Sequence, residues 1–176
     1  GMRILVMAAS TRTGSLNAAL GRLIARRLAD DGESVAVVDL ADYELPLYNG
    51  DLEDRDGVPQ AAYSLCERLR EAEVLVLVSP EYNRGFTPLL KNTIDWMSRV
   101  DAKALAHLFV LLASASPGFV GGARSVALVR QWLGNMDVNV AEHSLSIGSA
   151  SLDAEGNLVG NGLEGLDAFV AQVRTA

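Results

Sequence analysis

Three short polar segments carry groups suited to bind an anionic ligand that contains a ring. The first, residues 9–17, reads ASTRTGSLN and offers hydroxyls, an arginine and a glycine directly before a predicted helix. Because a helix amino terminus presents unpaired N–H groups and partial positive charge, these side chains favour a phosphate group. Simple helix capping by Ser15 explains the same residues equally well. Neither a GxGxxG dinucleotide pattern nor a Walker loop is present in the sequence.

The second and third segments are residues 79–85, SPEYNRG, and residues 114–122, SASPGFVGG. In the second, Tyr82 could stack on a flat ring, while Asn83 and Gly85 tolerate unusual backbone dihedrals. The glycines of the third indicate that its backbone comes close to another group. The alternative is structural: Glu81 and Asn83 would cap the following helix, Tyr82 would pack on the surface, and the glycines would only form a turn.

The elements that must position these segments follow from hydrophobic periodicity. Strands are predicted over residues 3–8, 34–39, 74–79, 107–114 and 141–147. Helices are predicted from Leu16 to a stop at Gly32, from Pro59, over residues 87–100, up to about Leu133, and from Leu163. The acidic run at residues 51–56 is interpreted as a solvated loop and not as a cation site. This alternation predicts one α/β domain over residues 1–176: a doubly wound, flavodoxin-like, five-stranded parallel sheet with helices on both faces.

Bulk composition narrows the classes of partner. The net charge of −7 argues against the basic surface that nucleic acids and acidic membranes require, so a small-molecule partner is expected. No apolar run reaches the length of a membrane span, and no signal sequence opens the chain behind Gly1. Cys66 is the single cysteine, which predicts a core thiol and a cytoplasmic protein. His107 and His143 are far apart in the sequence, so no metal site is expected.

The same residues resemble the NAD(P)H-dependent FMN reductases of flavodoxin-like fold, which include quinone, azo-dye and chromate reductases. The family's phosphate loop is matched by Ser10, Arg12, Gly14, Ser15 and Asn17, while Ala9 replaces its leading glycine. Its PEYN motif and the LKN-x-ID-W pattern are matched over residues 80–83 and 90–96. The segment LPLYNGDLE at residues 45–53 and the glycine turn at residues 116–122 are also similar to family features.

The resemblance implies FMN as cofactor and NADPH or NADH as transient hydride donor. It implies that one group of residues holds the FMN phosphate and ribityl chain: Ser10, Arg12, Ser15, Leu16 and Asn17. A second group would meet the flavin ring: Pro80, Glu81, Tyr82, Asn83 and Arg84. A third would line its other side through backbone groups: Ser114, Ser116 and Gly118. No side chain is expected to act as a catalytic acid, base or nucleophile, because the flavin carries the redox chemistry.

The expected function is transfer of hydride from NAD(P)H to FMN and of electrons to a small acceptor: free flavin, a quinone, an azo compound or a metal oxyanion. Two alternatives stay open, an FMN-binding electron carrier or redox sensor, and a degenerate member with an empty site. Residues 84–86 follow the ring-binding segment and are expected to control access of the acceptor. The resemblance also implies a homodimer or homotetramer, with Trp96 and Met97 either in the core or in the subunit contact.

Overall fold

In the computed structural model, which describes residues 1–10 and 15–176, strands and helices alternate along most of the chain. The described strands are β1 (Arg3–Ala8), β2 (Ser34–Asp39), β3 (Val74–Val78), β4 (Phe109–Ala115), β5 (Asn139–Val140), β6 (Leu145–Leu152) and β7 (Leu158–Asn161). The described α-helices are α1 (Leu16–Asp30), α2 (Gly50–Asp56), α3 (Gln60–Glu71), α4 (Pro88–Val100), α5 (Ala123–Asn135) and α6 (Leu166–Ala171). Short 3-10 helices cover Leu40–Asp42, Leu163–Gly165 and Gln172–Thr175.

The strands form a sheet in the order β2-β1-β3-β4-β6-β7, and β5 pairs with β4 beside β6. Strands β1 to β6 pair in parallel, whereas β7 is antiparallel to β6. The predicted α/β class with a parallel sheet is therefore confirmed. The predicted number of five parallel strands is wrong, because the described sheet has seven strands and ends in an antiparallel one.

The sequence predicted one strand over residues 141–147, but in the structure the short strand β5 lies before that range and β6 begins only at Leu145. Between them, the Arg130 guanidinium of α5 donates to the Ala141 carbonyl oxygen at 2.7 Å and to Ser144 Oγ at 2.6 Å. Ala141 still donates its N–H to the Val110 carbonyl oxygen of β4 at 2.8 Å. The strand β5 pairs with the start of β4, and β6 pairs with its end. The strand β7 follows a turn in which Asp153 Oδ1 accepts the N–H groups of Glu155 and Asn157.

Apolar side chains alternate across the sheet and form two cores. Ile4 and Val6 of β1 face one core, which α1 and α6 cover. Leu5 and Met7 face the other core, which α3, α4 and α5 cover. Every residue of β3 is buried, as expected for a strand covered on both faces. Met97 of α4 is buried in the second core, and Trp96 has no exposed surface, so both side chains are buried within the monomer.

The segment before α3 contacts α4, and the prediction that the acidic run is a loop is wrong, because these residues form a helix. None of them is buried, as predicted for a solvated segment. Residues 50–56 form α2, in which Glu53 accepts a hydrogen bond from Tyr48 Oη at 2.8 Å and two from Arg99 Nε at 2.9 and 3.0 Å. The Tyr48 ring packs edge-on against Trp96, whose indole N–H donates to the Pro46 carbonyl oxygen at 2.7 Å. Polar and aromatic contacts therefore fasten this segment to α4.

The start of α1 is joined to the end of β4 by a reciprocal pair of hydrogen bonds. Asn17 Nδ2 donates to the Ala115 carbonyl oxygen at 3.0 Å, and Asn17 Oδ1 accepts the Ala115 N–H at 2.9 Å. The Asn17 side chain is buried, with 4% of the residue exposed. One amide therefore satisfies both backbone groups of a residue at the carboxyl edge of the sheet.

We expect Asn17→Ala to lower the free energy of unfolding by about 1–3 kcal/mol, because both backbone groups of Ala115 lose their partner in a buried position. Urea denaturation of the variant and the wild type measures the difference. Asn135→Ala, at the exposed end of α5, is the control and should change stability by less than about 0.5 kcal/mol. Equal losses in the two variants would contradict a stabilising role for the Asn17 amide.

The contacts of Glu53 predict a dependence of stability on pH. Hydrogen bonds from Arg99 and then Tyr48 lower the pKa of Glu53 from its ordinary value of 4.5. A carboxyl group whose pKa is lower in the folded state stabilises that state above its ordinary pKa, and this stabilisation is lost as the pH falls through the lowered value. The difference in Tm between wild type and Glu53→Gln should therefore be present at neutral pH and shrink as the pH falls below 4.5. The control is Asp56→Asn, which removes an exposed pair with Arg55 and should leave Tm nearly unchanged.

Candidate functional site

The carboxyl ends of β1, β3 and β4 meet at a cleft of about 300 Å³, at the lower end of the range for small-ligand sites. Its described lining comes from all three polar segments: Ser10, Ser15, Leu16, Asn17, Pro80, Glu81, Tyr82, Ala115, Ser116 and Pro117. Most of the residues predicted to contact a cofactor are thus brought together. Arg12 is among residues 11–14, which lie outside the described part of the chain.

Ser15 begins α1 and caps it. Its Oγ accepts the backbone N–H groups of Asn17 at 3.1 Å and Ala18 at 3.3 Å, as the capping interpretation predicts. The hydroxyl hydrogen of Ser15 is not used in these bonds and can donate to an anion in the cleft. A cap and an anion contact are therefore compatible in one side chain, and the positive end of α1 adds to the attraction.

Ala9, which replaces a glycine of the resembled family, does not narrow the cleft. Its N–H donates to the Val78 carbonyl oxygen at 2.7 Å, and its methyl group packs into the core that α3, α4 and α5 cover. The residue has no exposed surface. A methyl group at this position is therefore accommodated by the core, away from the described lining.

The segment after β3 forms a tight turn that Tyr82 and Gly85 close. The N–H of each residue donates to the carbonyl oxygen of the other at 2.9 Å. Asn83 and Arg84, at the tip, adopt φ values of 51° and 65°, the left-handed pair typical of a type I′ turn. Tyr82 lines the cleft and is 52% exposed, whereas Asn83 and Arg84 are exposed outside the described lining. The Tyr82 ring is thus available to cover a ligand.

The carboxylate of Glu81 points towards α5. Its Oε1 accepts the N–H of Ser125 at 3.0 Å, and its Oε2 lies 3.4 Å from Arg124 Nη2. The hypothesis that Glu81 and Asn83 cap the following helix is wrong, because Thr87 Oγ1 caps α4 by accepting the Leu90 N–H at 3.1 Å. Glu81 caps the helix after that one.

The third segment is held in place by the backbone of β6. The N–H of Ser149 donates to the Gly118 carbonyl oxygen at 2.9 Å, and the N–H of Ala150 donates to the Ser116 carbonyl oxygen at 2.9 Å. Ser116 Oγ accepts the Gly118 N–H at 3.1 Å. The N–H and the carbonyl oxygen of Gly118 therefore both have hydrogen-bond partners within the protein. A Cβ at Gly148 would collide with the Phe119 carbonyl oxygen. These β6 residues were missed by sequence reasoning, since no motif marks a backbone support.

Ser114 lies beneath the start of α5 and outside the described lining of the cleft. It is fully buried, and a Cβ at Gly122 would collide with its Oγ. Gly122 also has φ of 80°, so two constraints require glycine there. Among the described residues, Ser114 Oγ and Ser79 Oγ are the buried side-chain polar atoms without a hydrogen-bond partner. Ser79 follows β3 and Ser114 lies near the end of the neighbouring strand β4, so both unpaired hydroxyls are at the carboxyl edge of the sheet.

The residues present fit a ligand with a phosphate at one end and a flat ring at the other. Hydroxyls and the positive end of α1 suit the phosphate, and Tyr82 and Pro80 suit the ring. Over residues 1–10 and 15–176, no group of three or more His, Cys, Asp or Glu side chains is arranged to hold a metal ion. In the same part of the chain, no helix combines the length and apolar composition that a bilayer crossing requires.

Two relatives are similar to the chain over most of its length. A quinone reductase of Escherichia coli (strain K12) is 35% identical over 139 residues, which are 79% of this chain and 73% of that protein. An NAD(P)H-dependent FMN reductase of Pseudomonas aeruginosa is 35% identical over 162 residues, 90% of this chain and 85% of the relative.

A solved structure supports the fold. The flavoenzyme NAD(P)H:(acceptor) oxidoreductase FerB of Paracoccus denitrificans superposes with a TM-score of 0.79 at 24% identity, covering 99% of this chain and 98% of that one. The family model described as NADPH-dependent FMN reductase matches residues 2–151, from β1 into β6, and so includes all three segments of the cleft. The chain belongs to the NADPH-dependent FMN reductase family.

Proposed function

We propose that the protein binds FMN in the cleft, takes hydride from NADPH or NADH and passes electrons to a small acceptor. The observation that carries the proposal is the meeting of a serine-lined helix start, an aromatic turn and a glycine turn at one edge of a parallel sheet. That edge is where open α/β sheets bind ligands. Two relatives are named as an FMN reductase and a quinone reductase, and these names support the same chemistry.

Each segment has a distinct part in the proposal. The residues proposed for the phosphate and ribityl chain are Ser10, Arg12, Ser15, Leu16 and Asn17. The residues proposed for the ring are Pro80, Glu81, Tyr82, Asn83 and Arg84 on one side, with Ser116 and Gly118 on the other. Ser114, which is buried beneath Gly122, would support that second side without touching the ring. The Asn17 amide is already paired with Ala115 and the Glu81 carboxylate with Ser125, so we propose that these two side chains act by orienting backbone.

Bound FMN supplies the hydride-accepting and electron-donating chemistry. The chain's own residues bind, orient and partly cover the reacting ring. Glu81 and Tyr82 are the only ionisable side chains in the described lining, and the Glu81 carboxylate is engaged with α5. We therefore assign no catalytic acid or base. For the acceptor we favour a quinone, because the half-exposed Tyr82 ring offers a flat apolar surface and relatives carry the name quinone reductase.

We further propose that the protein is a homodimer or homotetramer in the cytoplasm, with residues 1–176 as one FMN reductase domain. Large apolar side chains are exposed in the cleft's glycine turn and on α5: Phe119 at 85%, Val120 at 41% and Leu128 at 44%. We propose that these exposed side chains contact a second subunit. A single buried cysteine is in keeping with a reducing compartment.

The activity test starts from protein loaded with FMN and freed of excess cofactor. We expect flavin absorbance, and oxidation of NADPH or NADH that a benzoquinone accelerates; free FMN, an azo dye and chromate are measured as competing acceptors. FMN uptake without NAD(P)H turnover would identify an electron carrier or redox sensor. Absence of uptake by folded protein would identify a member with an empty site. The last two results contradict the proposal.

The phosphate assignment is tested with Ser15→Ala. We expect FMN affinity, from flavin fluorescence quenching, to fall about tenfold, because the variant loses both an anion donor and the cap of α1. The control is Ser98→Ala, which removes an exposed hydroxyl that donates to the Asp95 carbonyl oxygen in α4 and should leave FMN affinity unchanged. Equal affinities for the two variants would show that Ser15 does not contact the phosphate.

The subunit contact is tested by light scattering after size-exclusion chromatography. We expect the wild type to have the mass of two or four chains and Leu128→Glu to shift towards one chain, because a charge in an apolar contact is costly. The control Val37→Glu introduces the same charge at a 52% exposed position on β2, away from the cleft, and should keep the wild-type mass. A monomeric wild type at micromolar concentration contradicts the oligomer.

A further inference from the structure

The helix α5 has no cap from its own sequence. Its capping position is Gly122, which makes no side-chain hydrogen bond, and its first turn contains no acidic residue. The first N–H groups of a helix have no partner inside the helix and require one from elsewhere. For Ser125 that partner is Glu81, which lies 44 positions earlier in the chain and in the segment after β3.

Glu81 therefore joins two walls of the cleft. Glu81 directly precedes the turn at residues 82–85, which carries the Tyr82 ring. The helix α5 begins directly after the glycine turn at residues 116–122. A second hydrogen bond links the same two segments: Ser125 Oγ donates to the Pro80 carbonyl oxygen at 3.4 Å. The Pro80–Glu81 pair is thus attached to Ser125 through both backbone and side-chain atoms.

The bond to the backbone is the important part of this contact. The Glu81 side chain is only 14% exposed, whereas that of Arg124 is 51% exposed and its nearest nitrogen lies 3.4 Å away. Exposed ion pairs contribute little to stability, since water and salt screen them. A carboxylate that accepts a buried N–H at a helix start forms a charge-assisted bond aligned with the helix dipole. Removal of Glu81 should therefore loosen α5 relative to the aromatic turn.

We propose that Glu81 is a positioning residue of the cofactor site. Its carboxylate caps α5 and so sets the spacing between the backbone of the ring segment and the glycine turn, without binding the ring itself. This inference rests on the proposed function, because the two walls are those assigned to the flavin. It gives the glutamate of the PEYN motif a role directed away from the cofactor.

The chain contains a matched control at the opposite end of β3. Glu73 accepts the Arg3 N–H at 3.1 Å and lies 3.3 Å from Arg3 Nη1, the same combination of a backbone amide and a guanidinium. Glu73 precedes β3 at the amino edge of the sheet, far from the carboxyl edge that forms the cleft. Glu73→Ala therefore reports the loss of a similar contact without a change at the site.

The experiment compares wild type, Glu81→Ala, Glu81→Gln and Glu73→Ala. In the FMN-free protein, amide hydrogen exchange at Ser125 should accelerate about tenfold in Glu81→Ala, because the N–H loses its acceptor. FMN affinity, from fluorescence quenching, should fall about tenfold in the same variant, and the flavin midpoint potential should shift. Glu81→Gln keeps an oxygen acceptor for Ser125. Its FMN affinity should therefore lie within about threefold of the wild-type affinity, and its flavin midpoint potential should be close to that of the wild type. Glu73→Ala should leave the exchange rate at Ser125, the FMN affinity and the flavin midpoint potential unchanged.

Three results would overturn the inference in distinguishable ways. If Glu81→Ala lowers Tm yet binds FMN with wild-type affinity and potential, the carboxylate is only structural. If Glu81→Gln loses as much affinity as Glu81→Ala, the charge acts on the cofactor directly and positioning is wrong. If folded wild type takes up no FMN, the proposed function itself fails and the positioning role fails with it. Should Glu81→Ala not fold, Glu81→Gln still separates charge from capping.

Discussion

The reciprocal bonds between the Asn17 side chain and the backbone of Ala115 are the contact on which the cleft depends. A parallel sheet brings the ends of its strands to one edge, but the segments that follow have no ladder to hold them. Asn17 joins the first segment to the third, Glu81 joins the second to α5, and β6 supports the third through backbone bonds. In the described part of the cleft, the three segments are therefore held together by protein contacts, which lowers the ordering cost of binding there.

Hydrophobic periodicity and helix-capping residues correctly predicted the strands and helices whose limits depend on neighbouring residues in the sequence. The run Val74–Val78 predicted a strand covered on both faces, and Thr87 predicted the start of α4, because hydrophobic alternation and capping act within a few residues. The end of the sheet was predicted less well. The guanidinium of Arg130 binds Ala141 and Ser144, which were predicted to lie in the fifth strand, and Arg99 binds Glu53 in a helical segment that was predicted as a loop. Contacts of this kind depend on tertiary neighbours and leave no trace in periodicity.

The residues of the candidate site were likewise predicted only in part. The three segments and most of their cleft-lining residues could be predicted, since residue type and strand order place them at one edge. The direction of single side chains could not. Asn17 and Ala115 are 98 positions apart in sequence, and Glu81 and Ser125 are 44 apart, so the partners that orient them are invisible in a motif. Ser114 illustrates the point, because its strand position turns its hydroxyl beneath Gly122 and not into the cleft.

The turn at residues 82–85 is closed by its own two backbone bonds, and its tip side chains lie outside the described lining. The shape of this turn therefore requires only that residues 83 and 84 accept a left-handed backbone, which asparagine and glycine do most easily. The backbone geometry of the turn is therefore independent of the contacts that the two tip side chains make at the rim of the site.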